Sequence, residues 1–232
     1  MGYSVAIDGP AGAGKSTIAR EIAGRMNFIY VDTGAMYRAM ALYLLRLNID
    51  PGNKEKVEEY CQKADISIAY DQGEQVVLLN GERVNELIRR EEVGNMASAT
   101  SAYGVVREKL VALQQKLAES EAVVMDGRDI GTCVLPHADV KIFLTASSAV
   151  RAKRRYDELA AKGQECDLKE IEADIVERDR RDMEREISPL RQAEDAVLVD
   201  TSRMAVEEVV DTIMELIRQN RESQTGKQTG SA

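Results

Sequence analysis

The sequence predicts an α/β fold: a five-stranded parallel sheet flanked by helices. Three observations predict it. Short apolar runs alternate with longer amphipathic stretches along most of the 232 residues, the pattern of a parallel sheet with helices on both faces. The first apolar run passes through Gly9-Pro-Ala-Gly-Ala-Gly-Lys-Ser16 into a helical pattern, the strand–loop–helix setting of a phosphate-binding loop. Four apolar runs end in an acid, at Asp8, Asp32, Asp126 and Asp200, and in open parallel sheets ligands sit at the carboxyl ends of the strands.

Taken in chain order, strands are expected at 5–8, 28–32, 122–126, 140–145 and 196–200. Helical periodicity places helices at 35–47, 105–117, 149–161 and 206–218. Two stretches interrupt the alternation. Between about 63 and 90, β-prone runs flank Asn80-Gly81, a strong hairpin signal, so a small antiparallel β insert is expected there. Between about 155 and 190, a charged helical region surrounds Lys162-Gly163, which reads as a helical hairpin projecting from the core. The segment 221–232 lacks apolar residues apart from its final alanine and reads as a loose tail. Otherwise 1–232 forms a single domain.

Composition removes several function classes. Apolar residues make up 44% and charged residues 31%, the balance of a soluble globular protein. A net charge of −9 argues against a general nucleic-acid binder. The three cysteines, Cys61, Cys133 and Cys166, are scattered and His137 is the sole histidine, so a zinc site is not expected. No apolar run is long enough to cross a membrane. No leader pattern precedes the first strand, so the cytoplasm is the expected compartment and a monomer the expected state.

The loop carries its own chemistry. Glycines let successive backbone N–H groups turn toward a polyphosphate. The next helix adds orphan donors and the positive end of its dipole. Lys15 reaches β- and γ-phosphates, and the Ser16 hydroxyl ligates Mg2+. Asp126 ends an apolar strand and suits a Mg2+ held through water, with Arg128 and Asp129 beside it; on these residues alone a surface turn capped by acids fits equally. Asp32 or Thr33 reads as a helix cap and Tyr37 as core, with Arg38 a phosphate ligand one turn on. Arg178, Asp182 and Arg185 share a helix face, either a solvated face laced with ion pairs or a lid that brings arginines over phosphates.

Taken together, these segments resemble the bacterial cytidylate kinases (CMP kinases). The resemblance runs from about residue 3 to 219. It rests on IDGPAGAGKST at 7–17, VDTGAMYRA at 31–39, IRREEVGNMASATSAYGVVRE at 88–108, MDGRDIGTCVLPHADVKIFLTAS at 125–147 and ERDRRDMEREISPL at 177–190. It implies the P-loop kinase fold and an ATP-dependent (d)CMP kinase, yielding the diphosphate and ADP. By the same resemblance, Gly9, Pro10, Ala11, Gly12, Ala13, Gly14, Lys15, Ser16 and Thr17 hold ATP with Mg2+. Ser98, Arg107 and Asp129 meet the cytosine, and Arg38, Arg128 and Arg178 bind phosphates. Asp182 and Arg185 meet the sugar, Arg185 being shared with phosphate. Lys15, Arg128, Arg178 and Arg185 form the catalytic set, 63–90 belongs to the acceptor-binding insert, and 155–190 is the lid.

The base assignment agrees with elementary recognition chemistry. Cytosine offers an amino donor at N4 and acceptors at N3 and O2, which a carboxylate and a guanidinium complement. Uracil reverses that polarity at positions 3 and 4. No general base is required, because the acceptor phosphate has a second pKa of about 6 and is largely dianionic at neutral pH. Two rivals remain from the sequence: another nucleoside monophosphate kinase of the same fold, and a non-catalytic P-loop regulator. Guanine-specific switches carry N-K-x-D and D-x-x-G segments, and neither is found here.

Overall fold

The computed structural model describes residues 2–229. Its centre is an all-parallel sheet of β1 (Ser4–Asp8), β2 (Ile29–Asp32), β6 (Val123–Gly127), β7 (Val140–Thr145) and β8 (Val197–Asp200), in the order β2-β6-β1-β7-β8. Register holds Ala6 opposite Met125 and Lys141, and Ile29 opposite Val123. Successive β1 residues serve opposite faces. Ala6 joins one apolar cluster, and Val5 and Ile7 join the other, as the two-residue period of a strand requires.

α1 (Lys15–Met26) packs on the Val5–Ile7 face and α2 (Thr33–Arg46) on the other. α1 begins after Gly14 at φ 93, a left-handed conformation in which a Cβ is strained. α2 begins where Asp32 accepts a hydrogen bond from the Ala35 N–H at 2.9 Å. Asp32 is therefore a cap, one of the roles its position suggests.

The expected β insert is present as a three-stranded antiparallel sheet of β3 (Ile66–Asp71), β4 (Glu74–Leu79) and β5 (Glu82–Arg83). Asn80-Gly81 makes the β4–β5 turn with both φ positive, and Gln72-Gly73 makes a second such turn between β3 and β4. That second turn went unflagged, because glutamine lacks the turn preference of asparagine. Two flanking helices also went unread: α3 (Lys54–Cys61) and α4 (Glu91–Thr100). Val77, Leu79 and Val84 of the insert share an apolar cluster with Met36, Met40 and Leu44 of α2, so the insert is seated on the main core.

α5 (Gly104–Ser120) leads to β6, and a single π-helical turn at Ile130–Val134 follows it. α6 (Ser148–Ala161) and α7 (Leu168–Glu184) form the helical hairpin, turning at Gly163 with φ 72. Its first arm begins at Ser148, inside the body, rather than at 155.

The reading of 221–232 as a loose tail is corrected for residues 221–229; residues 230–232 lie outside the described residues. α8 (Val206–Thr229) continues through that stretch. Polar contacts replace the missing apolar ones. Arg218 pairs with Glu215 and Glu222 along the helix. The Arg221 guanidinium lies 4.8 Å from the Tyr3 ring centroid, and the Gln224 amide donates to Asp139 Oδ1 at 2.8 Å.

The two sheet edges differ. At β8, Val197 is 42% and Leu198 55% exposed. At β2, two side chains of the insert cover the free backbone. Gln75 bonds both the N–H and the C=O of Asp32, and the Tyr70 hydroxyl donates to the Tyr30 carbonyl at 3.2 Å. Among the described residues, no helix is long and apolar enough to cross a membrane.

Candidate active site

The loop after β1, the starts of α1 and α2, the end of β6 and the C-terminal part of α7 surround one cavity of about 270 Å³. Lys15 and Ser16 line one side. Asp126, Arg128 and Asp129 stand at the strand end, Ser98 and Arg107 come from α4 and α5, and Arg38 rises from α2. Arg178, Asp182 and Arg185 come from the end of the helical hairpin. Residues separated by as many as 174 positions in the chain, Ala11 and Arg185, thus share one space because the contributing elements meet at the same rim of the sheet.

The remaining loop residues are structural in their contacts. A Cβ on Gly9 would sit 1.9 Å from the Leu144 carbonyl oxygen, so only glycine lets the loop leave β1 against β7. Pro10 presents its carbonyl to Lys15 Nζ at 2.8 Å. Gly12 is at φ 76, Ala13 is buried, and Thr17 is exposed. Ala11 and Gly12 line the cavity.

Burial pushes the Lys15 ammonium down to about 7, and the neighbouring Arg128 pushes the same way against Asp126 and Asp8. A dense anion placed on this loop reverses that shift, since opposite charge favours the charged form. Asp126 is 4% exposed. It accepts from Ser16 Oγ at 3.0 Å and from the Tyr30 hydroxyl at 2.9 Å. Burial, and then the like charge of Asp32, pushes its carboxyl up to about 6. A carboxylate and a hydroxyl in contact beside a phosphate loop form a hard oxygen pair, the donor chemistry Mg2+ takes.

The opposite side of the cavity is an arginine–aspartate network. Arg107 Nη2 donates to Asp129 Oδ2 in a close, buried pair. Arg107 Nη1 donates to the Ser101 carbonyl at 3.2 Å, and the guanidinium lies 5.3 Å from the Tyr37 ring centroid. Arg128 Nε donates to Asp182 Oδ2 at 2.9 Å. Burial alone would raise the Asp182 carboxyl, but Arg128 and then Arg185 hold it below the usual carboxylate range. Arg185 stands between the acids, 3.8 Å from Asp129 Oδ1 and 4.0 Å from Asp182 Oδ1. Burial, and then Arg128, lowers the Arg178 guanidinium to about 10.

Five buried polar groups of this cavity have no hydrogen-bond partner among the described residues: Ser98 Oγ, the Tyr37 hydroxyl, Arg107 Nε, Arg178 Nε and Arg185 Nη2. An unmet buried donor costs about 1–3 kcal/mol, so their clustering here marks where a polar ligand would be received. Tyr37 was read as core. It does pack against the apolar cluster, yet its hydroxyl faces the cavity, with its pKa pushed up to about 12 by burial.

The roles of three residues escaped the sequence reading. Asp8 is not a free rim acid: it accepts from the N–H groups of Ile130 and Gly131 at 2.8 and 2.7 Å, clamping the π turn that follows Asp129. Tyr30 fixes Asp126 from the buried face of β2. Arg151 forms a strut. It donates to the Ala11 carbonyl at 3.0 Å, to the Ala146 carbonyl at 2.8 Å, and through both terminal nitrogens to the Asp179 carboxylate of α7. The i, i+4 and i+7 spacing drew attention to Arg178, Asp182 and Arg185, but Asp179, one step round the helix, has no signature in sequence. His137 is exposed and does not line the cavity.

An uncharacterized protein from Eubacterium ventriosum shares the fold with a TM-score of 0.52 at 13% identity, covering 93% of this chain and 98% of that one. A cytidylate kinase of Caldicellulosiruptor bescii is 50% identical over 213 residues, 92% of this chain and 94% of that protein. One from Bacillus subtilis is 48% identical over 216 residues, 93% of this chain and 96% of that protein. With the family model for cytidylate kinase matching residues 5–219, the chain belongs to the cytidylate kinase family.

Proposed function

We propose that the protein transfers the γ-phosphoryl group of ATP to CMP or dCMP, giving CDP or dCDP and ADP. One observation carries the reading within the family: a buried arginine–carboxylate pair suited to cytosine, Arg107–Asp129, and a phosphate loop with its lysine, Lys15, line the same cavity. The cytosine edge takes the free oxygen of Asp129 and the donors of Arg107, with Ser98 beside them. The acceptor phosphate then points toward Arg38, Arg128 and Arg178, and Asp182 with Arg185 meets the sugar. ATP lies along residues 9–17 with its γ-phosphate at Lys15.

Transfer needs one acceptor oxygen to form a bond to the γ-phosphorus as the bond to the ADP oxygen breaks, with the two in line. The acceptor oxygen is already ionised, so no side chain takes a proton. Lys15, Arg128, Arg178 and Arg185 offset the repulsion between two anions and hold them in register. Asp182 beside Arg128, and Asp129 with Asp182 beside Arg185, keep those two guanidiniums in place between turnovers. Ser16 directly, and Asp126 through water, would hold Mg2+, which would offset negative charge on the phosphates. The insert at 63–90 and the hairpin at 155–190 cover the acceptor and the phosphates, which excludes water as a competing acceptor.

Net charge and scattered free thiols at Cys61, Cys133 and Cys166 support a small-molecule enzyme of the cytoplasm, acting as a monomer without nucleic acid. The test is ADP formation from ATP and Mg2+ with CMP, dCMP, UMP, AMP and GMP supplied separately. Strong turnover with CMP and dCMP alone supports the proposal. Preference for another acceptor overturns the base assignment. No turnover with any of them overturns the kinase reading.

A further inference from the structure

Two side chains link the β insert to the edge of the main sheet, and one of them, Gln75, reaches the residue that starts α2. Gln75 lies at the start of β4 and is half-buried. Its Oε1 accepts from the Asp32 N–H at 2.7 Å, and its Nε2 donates to the Asp32 carbonyl at 3.2 Å. This amide does for β2 what the next strand would do: it pairs with one residue's donor and acceptor together. The paired residue is not arbitrary. Asp32 ends β2, caps α2 through Ala35, and directly precedes Thr33 and Gly34, which line the cavity. Thr33 in turn donates to the Asp126 carbonyl at 2.7 Å, and Arg38 stands one turn along the same helix.

We infer that Gln75 is a positioning residue for the acceptor: its carboxamide latches the insert to the residue that starts the acceptor-binding helix. Gln75 touches no reacting atom. It acts through Asp32, holding the start of α2 and the insert in one arrangement, so that Arg38 and the groups that receive the nucleotide are presented together. The second contact between the two parts near this edge, the Tyr70 hydroxyl on the Tyr30 carbonyl, lies two residues back along β2 and does not reach the cap. Loss of Gln75 therefore leaves the insert seated on its apolar cluster but free to tilt at the cavity end. A ligand that binds only the latched arrangement loses apparent affinity in proportion to the fraction still latched. Two hydrogen bonds of ordinary net strength correspond to a shift on the order of tenfold.

The inference rests on the CMP kinase reading, which the unaltered protein tests first through its acceptor panel. The experiment then compares that protein with Gln75→Met, which keeps the side chain's length and removes both hydrogen bonds, and with Tyr70→Phe. Steady-state constants for CMP and ATP are measured for each, with amide hydrogen exchange at Asp32 as a substrate-free readout. For Gln75→Met the expected result is a KM for CMP raised about tenfold, a KM for ATP within twofold, and a kcat within twofold. Its Asp32 amide exchanges faster, while Tyr70→Phe changes the KM for CMP less than threefold. A KM for CMP that does not move in Gln75→Met overturns the inference. So does an equal rise in both KM values, which marks general loosening, or an Asp32 amide that stays as protected as before.

Discussion

Asp129→Asn is the sharpest test of how the base is read. Asp129 is 4% and Arg107 3% exposed, so water does not compensate for a mismatch here. One carboxylate oxygen is engaged by Arg107, and the other faces Arg185 Nη2 at 3.8 Å. The second oxygen is thus the acceptor available to the cytosine amino group. In the asparagine variant the amide oxygen keeps Arg107, and the amide NH2 turns to the place where the acceptor was. For CMP, a charge-assisted bond becomes two opposed donors, a loss of about 1.5–3 kcal/mol. For UMP, the new donor meets the O4 carbonyl, a gain of about 1 kcal/mol. Together these shift the ratio of kcat/KM for CMP over UMP by roughly two orders of magnitude, since each 1.4 kcal/mol is tenfold. The assay is ADP formation with each acceptor below its KM, with the melting temperature followed as a check on folding. A fall in both kcat/KM values by the same factor would refute the argument and move base recognition away from this pair.

Three further outcomes follow from the same geometry. Burial and Asp32 raise the Asp126 carboxyl to about 6; a raised carboxyl contributes stability that is fully present below its unfolded value and lost as pH rises through 6. Asp126→Asn is therefore expected to melt several degrees higher than the parent at pH 7, with the gain gone by pH 4, while transfer falls at least a hundredfold; calorimetry at both pH values checks the sign, and equal gains would refute it. The lowered Lys15 ammonium implies that ATP binding at pH 8 takes up a proton, measurable by titration calorimetry in buffers of differing ionisation enthalpy; uptake and transfer both vanish in Lys15→Ala, and retained full activity would remove Lys15 from the site. Arg151→Lys keeps the charge but cannot span the Ala11, Ala146 and Asp179 oxygens together, so kcat is expected to fall tenfold or more with KM for CMP within threefold, and an unaltered kcat would show that the strut does not hold the lid helix for transfer.

Much of this molecule was readable in advance, for reasons that differ by element. The central strands β1 and β6 are buried along nearly their whole length, and such runs stand out as unbroken apolar text. Val140–Thr145 has the observed limits of β7 to the residue. The phosphate loop was legible because its backbone conformations restrict residue type, as Gly9, Gly12 and Gly14 at positive φ show. Partners were not legible. Nothing in the order of residues pairs Arg151 with Asp179 or Gln75 with the Asp32 backbone, because those contacts arise only when distant elements converge. α8 shows a different gap: its stretch around Arg221 and Gln224 is held by Asp139 and two aromatic rings from elsewhere, so local apolar periodicity, which ends near Arg218, understates its length. Tyr37 sits between the two cases, apolar in its ring and polar at its tip, and only the cavity decides which end matters.

The asymmetry of the two sheet edges sets how this protein would fail in concentrated solution. An uncovered strand is a template for another chain, and here the β8 edge, with Leu198 exposed beside it, is uncovered while β2 is covered by Gln75 and Tyr70. Among the described residues, pairing between copies through β8 consumes the bare edge of the five-stranded sheet on each, so that sheet closes at two molecules and ten strands. A chain with both edges bare would extend into a fibre. The latch at β2 thus doubles as a chain terminator. Loss of Gln75 would leave Tyr70 as the remaining side chain on that edge and weaken the terminator, and a lysine in place of Leu198 would silence the β8 edge.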